Sequence, residues 1–473
     1  MPDCTCRRFE FQGPVGRELV AEFSGGQITS DGGVMLLGEV DRRLRLVERL
    51  ARCFDDHREA SRTEHSVEEL LRQRLYGLAL GYEDLNDHED LRSDVLLAAV
   101  VGKSAPCGSD RSRARDRGHA LAGKSTLNRL EWGAVASQGE SDRYRRIVVQ
   151  PQAVDRLLVD LFLEAHSAPP RSIVLDLDAT DDPLHGTQEG RFFHGYYGCY
   201  CYLPLYVFCG DHLLLARLRR SNAEASAGSV KELSRIIEQI RDAWPEVAIQ
   251  VRADSGFARD ALMSWCEQNA VDYVFGLARN PRLEKALEPA FLQAEDLCAE
   301  SGEPERVFAE WSYQTLDSWS RERRVIGKAE ITLYGENPRF LVTSLTPQQA
   351  EARTVYEQIY CARGEVENRI KEQQLDLFAD RTSAHCMPVN QVRLWFSSFA
   401  YLLLAGLRRL GLRGSAEARA RCQTLRLKLL KIGAQIKITR RKVWVFLASA
   451  CPGQDLFAHV YDRLTAATGP TFA

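Results

Sequence analysis

The amino-acid sequence predicts an α/β protein with a carboxylate site at the edge of a mixed β-sheet. The middle of the chain alternates short apolar strands with amphipathic helices. Three acids stand at strand ends or on a long helix, where side chains from different elements can meet. The net charge is only −3, but one stretch near the C-terminus is almost wholly basic. At 473 residues, the chain is long enough for two to four domains of about 100–200 residues each.

Residues 1–167 are predicted to form a mostly helical domain. Ser66 is a predicted N-cap for an apolar-periodic helix, Val67–Leu80, and residues 108–117 form an arginine-rich loop. The start of the chain is too charged for a signal peptide. The longest apolar stretch, 394–407, is shorter than the ~20 residues that a membrane helix needs. We therefore expect a cytoplasmic protein with no membrane partner.

The pattern changes after the boundary at Pro169-Pro170. Strand candidates at Ser172–Asp178, Tyr202–Cys209 and His212–Leu218 precede alternating helices and strands up to Leu277. Three antiparallel strands followed by α/β alternation is the order of an RNase H-like core. We assign this core to residues 171–280 and 338–411, separated by a β-rich insertion at 281–337 that lacks a clear helical pattern beyond its first turns, and followed by a basic region at 412–473.

Three acids are candidates for a catalytic site. Asp178 and Asp254 each end a predicted strand, and Glu367 lies on a helix predicted from about Thr346 to Leu377. Two strand-end carboxylates and one helix carboxylate can hold Mg²⁺ ions, which prefer oxygen ligands and assist phosphoryl transfer. Asp176 faces the same side of its strand as Asp178, so the sequence leaves it open as a ligand. Asp181 and Asp182 are expected to be structural.

The helix with Glu367 has an unusual polar face. Tyr360, Arg363, Glu367, Lys371 and Gln374 fall on one side at helical spacing. Such a face indicates an active site in which a carboxylate holds metal and cations hold phosphates. The alternative is a solvated ladder of ion pairs between residues four apart.

These motifs resemble those of the DDE transposases of bacterial insertion sequences. The third motif, from Tyr360 through Arg363 and Glu367, is similar to the branch that reads Tyr-x2-Arg-x3-Glu-x6-Lys. The segments around Asp178 and Asp254 are similar to the first and second motifs, and Gly26-Gln-Ile-Thr-Ser-Asp-Gly-Gly33 extends the resemblance to the start. One departure is Gln374, which stands where the family has its final Lys.

The resemblance implies a function and a set of roles. Asp178, Asp254 and Glu367 would bind Mg²⁺, or Mn²⁺ in its place, and Tyr360 and Arg363 would steady the DNA end. Lys371, one turn before Gln374, is placed to take over a phosphate contact. The expected reaction is cut-and-paste transposition, with a hairpin intermediate implied only by the branch. A homodimer or larger assembly would pair two ends.

A basic block indicates where DNA binds outside the catalytic site. From Gly406 to Lys442 the sequence has a single acid, Glu417, and many cations. We predict that double-stranded DNA, as terminal inverted repeats and target, contacts the N-terminal domain and this C-terminal region. The candidate contacts are Arg408, Arg409, Arg426, Lys428, Arg440, Arg441 and Lys442.

Parts of the sequence also match other functions. Gly118 to Ser125 matches the P-loop pattern, but an arginine-rich loop precedes it instead of a buried strand, so we expect no nucleotide; Ser125-Thr126 is instead read as a helix cap. A transposase relic that binds ends without cutting them is the main alternative. A carboxylate-pair hydrolase leaves the basic block unexplained. Cys4-x-Cys6 and Cys199-x-Cys201 lack a second pair at zinc-finger spacing, so reduced thiols are expected.

Overall fold

A mixed β-sheet organises the catalytic half of the molecule, seen in a computed structural model that describes residues 7–12, 17, 19–134, 146–332 and 334–466. The chain divides into two compact units. The first comprises residues 1–149, 376–378 and 399–467, and the second comprises 150–375, 379–398 and 468–473. The boundaries of the five predicted segments stay predictions.

The sheet of the second unit has the predicted strand order. Three antiparallel strands come first, and two further strands run parallel to Ser172–Ala179 beside them. The α/β prediction is therefore confirmed, with strands arranged as in an RNase H-like core. From one edge of the sheet to the other, the described strands are His212–Arg217, Leu205–Cys209, Ser172–Ala179, Ala248–Ala253, Asp272–Leu277, Arg339–Thr343, Arg323–Thr332 and Glu305–Tyr313, with Gly335–Glu336 beside Arg323–Thr332.

Helices cover both faces of this sheet. One face packs through Leu175, Val251 and Phe275 onto amphipathic helices whose apolar sides are buried. A second apolar cluster includes Val274 and Val355. The helices of this unit are Pro151–Leu163, Ser229–Ala243, Asp260–Gln268 and Pro281–Ser301, with the segmented helix described below and Met387–Gly406, which extends into the first unit; a small sheet pairs Asp182–Pro183, Cys199–Tyr202 and Phe192–His194.

The segment predicted to be β-rich begins with a long helix, so that prediction was wrong for its first third. Pro281–Ser301 is helical, and Asn280 caps it by accepting hydrogen bonds from the amides of Arg282 and Leu283, each at 3.1 Å. Its buried stripe is narrow, with Leu283 and Leu287 among its members. Pro289 inside the helix and the many exposed acids obscure the helical periodicity of this stripe in the sequence. The remainder of the segment forms the expected strands.

The helix that carries Glu367 begins later than predicted and is not uniform. It starts at Ala352, widens into a π-helical segment over Val355–Tyr360 and tightens to a 3₁₀ turn over Cys361–Arg363. The regular α-helical part is Gly364–Lys371, and a second wide segment, Glu372–Asp376, follows it. Wide turns of this kind are rare and are found most often at functional sites.

The first unit is mainly helical in its N-terminal part, as predicted. Ser66 and Glu69 form a capping box at the start of Val67–Leu80, which confirms that N-cap. Lys124–Glu131 begins with Gly123 as its cap, so the predicted cap at Ser125-Thr126 was wrong. The other helices are Val34–Leu44, Leu46–Ala51, Asp87–Leu91, Val95–Val101, Cys422–Leu425 and Gln454–Thr465, and the paired strands are Arg8–Phe11 with Leu19–Glu22 and Phe54–Asp56 with Ile147–Val149.

The N-terminal and C-terminal segments of this unit share one sheet. Gln27–Thr29 pairs with Ala434–Ile438, which in turn pairs with Val443–Leu447. The glycines of the Gly26–Gly33 motif belong to this contact: the amide of Gly33 donates to the carbonyl of Leu430 at 3.1 Å. A Cβ on Gly33 would lie 1.8 Å from the carbonyl oxygen of Leu429, so only glycine fits there.

Two further findings concern the described part of the chain. None of its helices is long and apolar enough to cross a membrane. Its cysteines are free thiols, including Cys199 and Cys201. The Cys4-x-Cys6 pair lies outside the described residues.

Candidate active site

Two aspartates meet at one edge of the central sheet. Asp178 is near the end of Ser172–Ala179, and Asp254 directly follows Ala248–Ala253. These strands are parallel neighbours, with Asp176 opposite Arg252, so Asp178 and Asp254 come next on the same edge. Asp254 accepts a hydrogen bond from the amide of Gly256 at 2.9 Å, which fixes its carboxylate at the start of a short turn.

The segmented helix brings Glu367 and Arg363 to the same place. Its first part packs on the sheet, where Tyr356 and Tyr360 contact the apolar cluster around Val274 and Val355. Arg363 and Glu367, four residues apart, then face one another, and Nη1 of Arg363 donates to Oε1 of Glu367 at 2.9 Å. Tyr360 lies one turn earlier, with its hydroxyl close to the backbone at Asp254 and Gly276.

Arg363 connects the helix to the strand carboxylates. Its Nη2 lies 3.3 Å from Oδ1 of Asp178, while its Nη1 binds Glu367. The Arg363 side chain is only 12% exposed, so this cation is held inside the cluster and not in solvent. Burial works against its charge, but Asp178 and Asp254 nearby raise the pKa of Arg363 above its ordinary value.

Burial and nearby negative charges together explain the raised pKa of Asp178. Burial is the main cause that raises the pKa of Asp178 to about 6, and the charges of Asp254 and Glu367 raise it further, while Arg363 opposes them. Burial also raises the pKa of Tyr360, and Asp254 adds to it. The structure thus brings Asp178, Asp254, Glu367, Arg363 and Tyr360 into one electrostatic cluster, which is hereafter called the carboxylate cluster.

Asp176, which the sequence left open, has another partner. Arg252 on the neighbouring strand binds both of its carboxylate oxygens at 2.7 Å. Nη1 of Arg252 also donates to the carbonyl of Ile359 at 2.5 Å. Asp176 therefore anchors the segmented helix to the sheet through Arg252, and its oxygens are occupied by this bidentate pair.

Gln374 supports the loop after the first strand. Its side-chain amide donates to the carbonyl of Asp181 at 3.0 Å and to Oδ1 of Asp182 at 2.9 Å. Burial raises the pKa of Asp182 to about 8, so this carboxyl keeps a proton at neutral pH. The structural role expected for Asp182 fits this contact, and Gln374 is aimed at the loop instead of at solvent. Lys371 is exposed.

The donor set of the carboxylate cluster suits a hard divalent cation. Two aspartates and one glutamate offer only oxygen, and their mutual repulsion is relieved by positive charge. Among the described residues, no three acidic, histidine or cysteine side chains already stand at metal-binding distances. Arg363 lies between Asp178 and Glu367 and supplies the positive charge there. A divalent ion on these carboxylates would require Arg363 to turn away.

Two residues of the site were missed at the sequence level. Tyr197 borders the cluster: burial raises its pKa, and the charges of Asp181, Asp178 and Asp254 add to the shift. Gly276, on the strand beside Asp254, has no room for a side chain, because a Cβ would lie 2.7 Å from the Tyr360 hydroxyl. Neither residue carries a periodic or motif signal, since both depend on neighbours distant in sequence.

The predicted C-terminal DNA contacts belong to the first unit, and Arg408 and Arg426 bind backbone carbonyls there. Arg408 is 4% exposed and donates to the carbonyl of Ala420. Arg426 donates to the carbonyls of Ala79 and Asp376. These two arginines hold backbone together, so we leave them out of the proposed DNA surface. Arg409 is half-buried, Lys428 pairs with Glu417, and Arg440, Arg441 and Lys442 are exposed in a hairpin turn.

The arginine-rich loop lines a basic cleft of the first unit. This cleft has a volume of about 1140 Å³ and includes Arg113, Arg115 and the segment Gly123–Thr126. The P-loop pattern does not form a phosphate cradle here: a 3₁₀ turn precedes it, and Lys124 is engaged within the protein. Its amide donates to Glu89 at 2.8 Å, and its Nζ donates to Asn86 at 3.0 Å.

One family of proteins matches nearly the whole chain. A model described as a transposase DDE domain, group 1, matches residues 11–468 of the chain. No curated protein matches it. One similar solved structure is the cryo-EM structure of a piggyBac transposase synaptic complex with hairpin DNA; it is 11% identical, the match covers 85% of this chain and 80% of that one, and the TM-score is 0.37.

Proposed function

The chain belongs to the family of transposase DDE domains, and from this premise we propose that it cuts and joins DNA at the carboxylate cluster. The observation that carries the proposal is the convergence of Asp178, Asp254 and Glu367 around one buried guanidinium. Apolar packing does not account for a cluster of acids from two strands and a helix. Such a cluster is typical of a site that binds cations and phosphate.

Each residue of the cluster has its own proposed role in phosphoryl transfer. Asp178, Asp254 and Glu367 would hold Mg²⁺, or Mn²⁺ in its place. When bound, such ions activate the attacking oxygen and stabilise the leaving one. Arg363 would exchange its carboxylates for a phosphate of the DNA end, since a guanidinium binds both groups in the same bidentate way. Tyr360, packed on the sheet beside Asp254, would orient that end.

The proposed reaction is cut-and-paste transposition. One strand is cut at each element end, and the freed 3′-hydroxyl then attacks a second phosphodiester, either on the opposite strand to give a hairpin or in the target. The partner is double-stranded DNA, as terminal inverted repeats and target. Two ends have to be held together, so the active form is proposed to be a dimer or larger.

Several cations are proposed to hold the duplex outside the cluster. Lys371 lies on the segmented helix, and Arg113 and Arg115 lie at the basic cleft. Phosphate contacts of this kind give affinity without sequence preference and weaken steeply with salt. The other proposed contacts are Arg409, Lys428, Arg440, Arg441 and Lys442.

A DNA-end-binding regulator without cleavage activity is the second candidate. The observation that favours it is Gln374 in place of the Lys that the family motif carries, together with the direct contacts of Arg363 on the carboxylates. This candidate keeps the basic surfaces and lacks metal-dependent cutting. A cleavage assay separates the two.

The test is cleavage of a labelled duplex that carries the element's own end, with Mg²⁺. Wild type is compared with Asp254→Ala and Glu367→Gln, and Glu365→Gln serves as the matched control, because Glu365 is an exposed acid on the same helix. We expect nicking at the end by wild type and the control, and loss in the two cluster variants with binding retained. Specific binding by wild type without any cutting would favour the regulator.

A further inference from the structure

The three-stranded sheet of the first unit has an exposed aromatic side. In the register of its strands, Lys437 lies opposite Trp444, and Gln435 lies opposite both Phe446 and Ile28. Cross-strand partners project to the same side of a sheet, so these five residues share one face, which we call the aromatic face. Trp444 is 48% exposed and Phe446 is 52% exposed.

The two rings are arranged in parallel. Trp444 and Phe446 are two residues apart on one strand, so both project to the same side. Their ring centroids are 6.4 Å apart, and the angle between the ring planes is 12°. The ammonium of Lys442 lies 5.3 Å from the Trp444 ring centre, a cation–π arrangement that leaves its charge at the edge of the face. Two large rings exposed side by side cost free energy in water, so such patches usually mark a binding surface.

The charge around the aromatic face identifies its partner. The adjoining turn exposes Arg440, Arg441 and Lys442, and the sequence has no acid between Glu417 and Asp455. A second copy docked through the same face would bring the same positive charges against these and be repelled. Parallel aromatic rings edged by cations fit an unpaired nucleic-acid strand, whose bases stack on rings and whose phosphates pair with cations.

We propose that the aromatic face binds single-stranded DNA. Unpaired bases stack on Trp444 and Phe446, and the adjoining phosphates pair with Lys437 and the cations of the turn. The proposal rests on the proposed function, because cutting one strand at an element end frees nucleotides from the duplex. It adds a site for the separated strand on a different unit from the carboxylate cluster.

The experiment measures the affinity of the full chain for a fluorescein-labelled 15-nucleotide oligo-dT and for a duplex of equal length, by fluorescence anisotropy over a range of salt. Replacing one stacking ring is expected to weaken oligo-dT binding by about fivefold to 100-fold, with a much smaller effect on the duplex. The variants are Trp444→Ala and Phe446→Ala. Trp444→Phe should restore most of the affinity, and Tyr461→Ala is the matched control, an aromatic residue 52% exposed on a helix of the same unit.

Stacking and charge are separated by the salt dependence. Trp444→Ala should lower the affinity for oligo-dT without changing the slope of log affinity against log salt. Arg440→Gln with Arg441→Gln should reduce that slope by about 1.4, which is 0.7 for each lost phosphate contact. Unchanged oligo-dT affinity in the Trp444→Ala, Phe446→Ala double variant overturns the proposal. So does a change of oligomeric state in that variant, which would identify the face as a contact between copies.

The two proposals fail in different ways. If wild type cuts the element end but the aromatic variants bind oligo-dT as tightly as wild type does, the aromatic face is not a nucleotide site and the proposed function stands. If wild type binds oligo-dT through Trp444 and Phe446 but never cuts, the proposed function fails while this site remains.

Discussion

Arg363 and Asp178 lie 3.3 Å apart, a cation held against the one strand carboxylate whose pKa is raised to about 6. Because Arg363 also binds Glu367, a single side chain neutralises acids from two different elements. The carboxylates proposed to bind a divalent ion are thus held together by Arg363, and Arg363 has to move away before the ion binds. Metal loading and DNA binding are coupled if Arg363 leaves for a phosphate.

Replacing Arg363 with Gln should make metal binding easier and DNA cutting harder. Without the guanidinium, the three carboxylates lose their internal cation, and we expect the affinity for Mn²⁺ to rise about tenfold or more. The measurement is Mn²⁺ binding by electron paramagnetic resonance in the absence of DNA. Arg363→Lys, which keeps the charge, should remain near wild type. A lower Mn²⁺ affinity for Arg363→Gln would contradict the arrangement.

Asp178→Asn should stabilise the protein at neutral pH in the absence of metal. The folded state binds a proton on Asp178 up to about pH 6, whereas the unfolded chain releases it near the ordinary pKa of 3.8. Stability is therefore lost as pH rises through this window, and one pKa unit corresponds to about 1.4 kcal/mol. We expect no difference in Tm from wild type at about pH 3.5 and a rise of several degrees at about pH 7.

Thermal unfolding with a chelator present tests this expectation. Asp317→Asn is a suitable control, since Asp317 is an exposed acid in a loop of the same unit. Equal Tm differences at both pH values would mean that Asp178 does not titrate in that window. Added Mg²⁺ should raise the Tm of wild type more than that of Asp178→Asn.

Removal of one partner of the Asp176–Arg252 pair should be costly. Both side chains are buried, and Arg252→Met leaves Asp176 without its cation. We expect a loss of about 3–5 kcal/mol in the free energy of unfolding, measured with denaturant. Arg42→Met, which breaks an exposed pair with Glu39, should cost less than about 1 kcal/mol. An equal effect of the two substitutions would show that Asp176 is not anchored by Arg252.

Gln374→Lys should be tolerated and should change the pH dependence of stability. The ammonium can replace the amide as donor to Asp182 and would favour its ionised form. In wild type the pKa of about 8 means that stability falls as pH rises towards that value. The variant should escape this fall, so its Tm should match wild type at about pH 4 and exceed it at about pH 8. Gln374→Ala, which loses the donor, should be less stable at both.

The basic cleft should contribute to duplex binding without sequence preference. Replacing Arg113 and Arg115 with Gln removes two exposed cations from its rim. If both contact phosphates, the slope of log affinity against log salt should fall by about 1.8, with cleavage per bound duplex unchanged. Arg42→Gln with Arg156→Gln, two exposed arginines outside the cleft, is the matched control. An unchanged slope would exclude the cleft from the DNA path.

The sequence predicted the strands and acids of the site because local signals mark them. Apolar runs that end at Asp178 and Asp254 indicate buried strands with polar ends. Glu367 lies on a polar helix face that the spacing of its neighbours predicts. One interruption of that helix lies where Tyr356 and Tyr360 pack on the sheet. Pattern reading has no access to such tertiary packing, nor to the space that Gly276 leaves for the Tyr360 hydroxyl.

The basic block illustrates a second limit. Charge alone does not distinguish Arg440, exposed in a turn, from Arg408, which is buried against the carbonyl of Ala420. In the sequence, Arg408 and Arg440 are both cations in a stretch that is poor in acids. A guanidinium has five donors, so it serves backbone carbonyls as readily as phosphates, and only the fold decides which it meets.

The strand Gln27–Thr29 pairs with Ala434–Ile438, residues that leave the ribosome some 400 positions later. At about 5–20 residues per second, the first strand waits roughly 20–80 s for its partner during translation. The first unit is therefore completed only near the end of synthesis. A nascent or truncated polypeptide would lack Ala434–Ile438 and Val443–Leu447, so any DNA affinity of the aromatic face arises only after this segment has been synthesised.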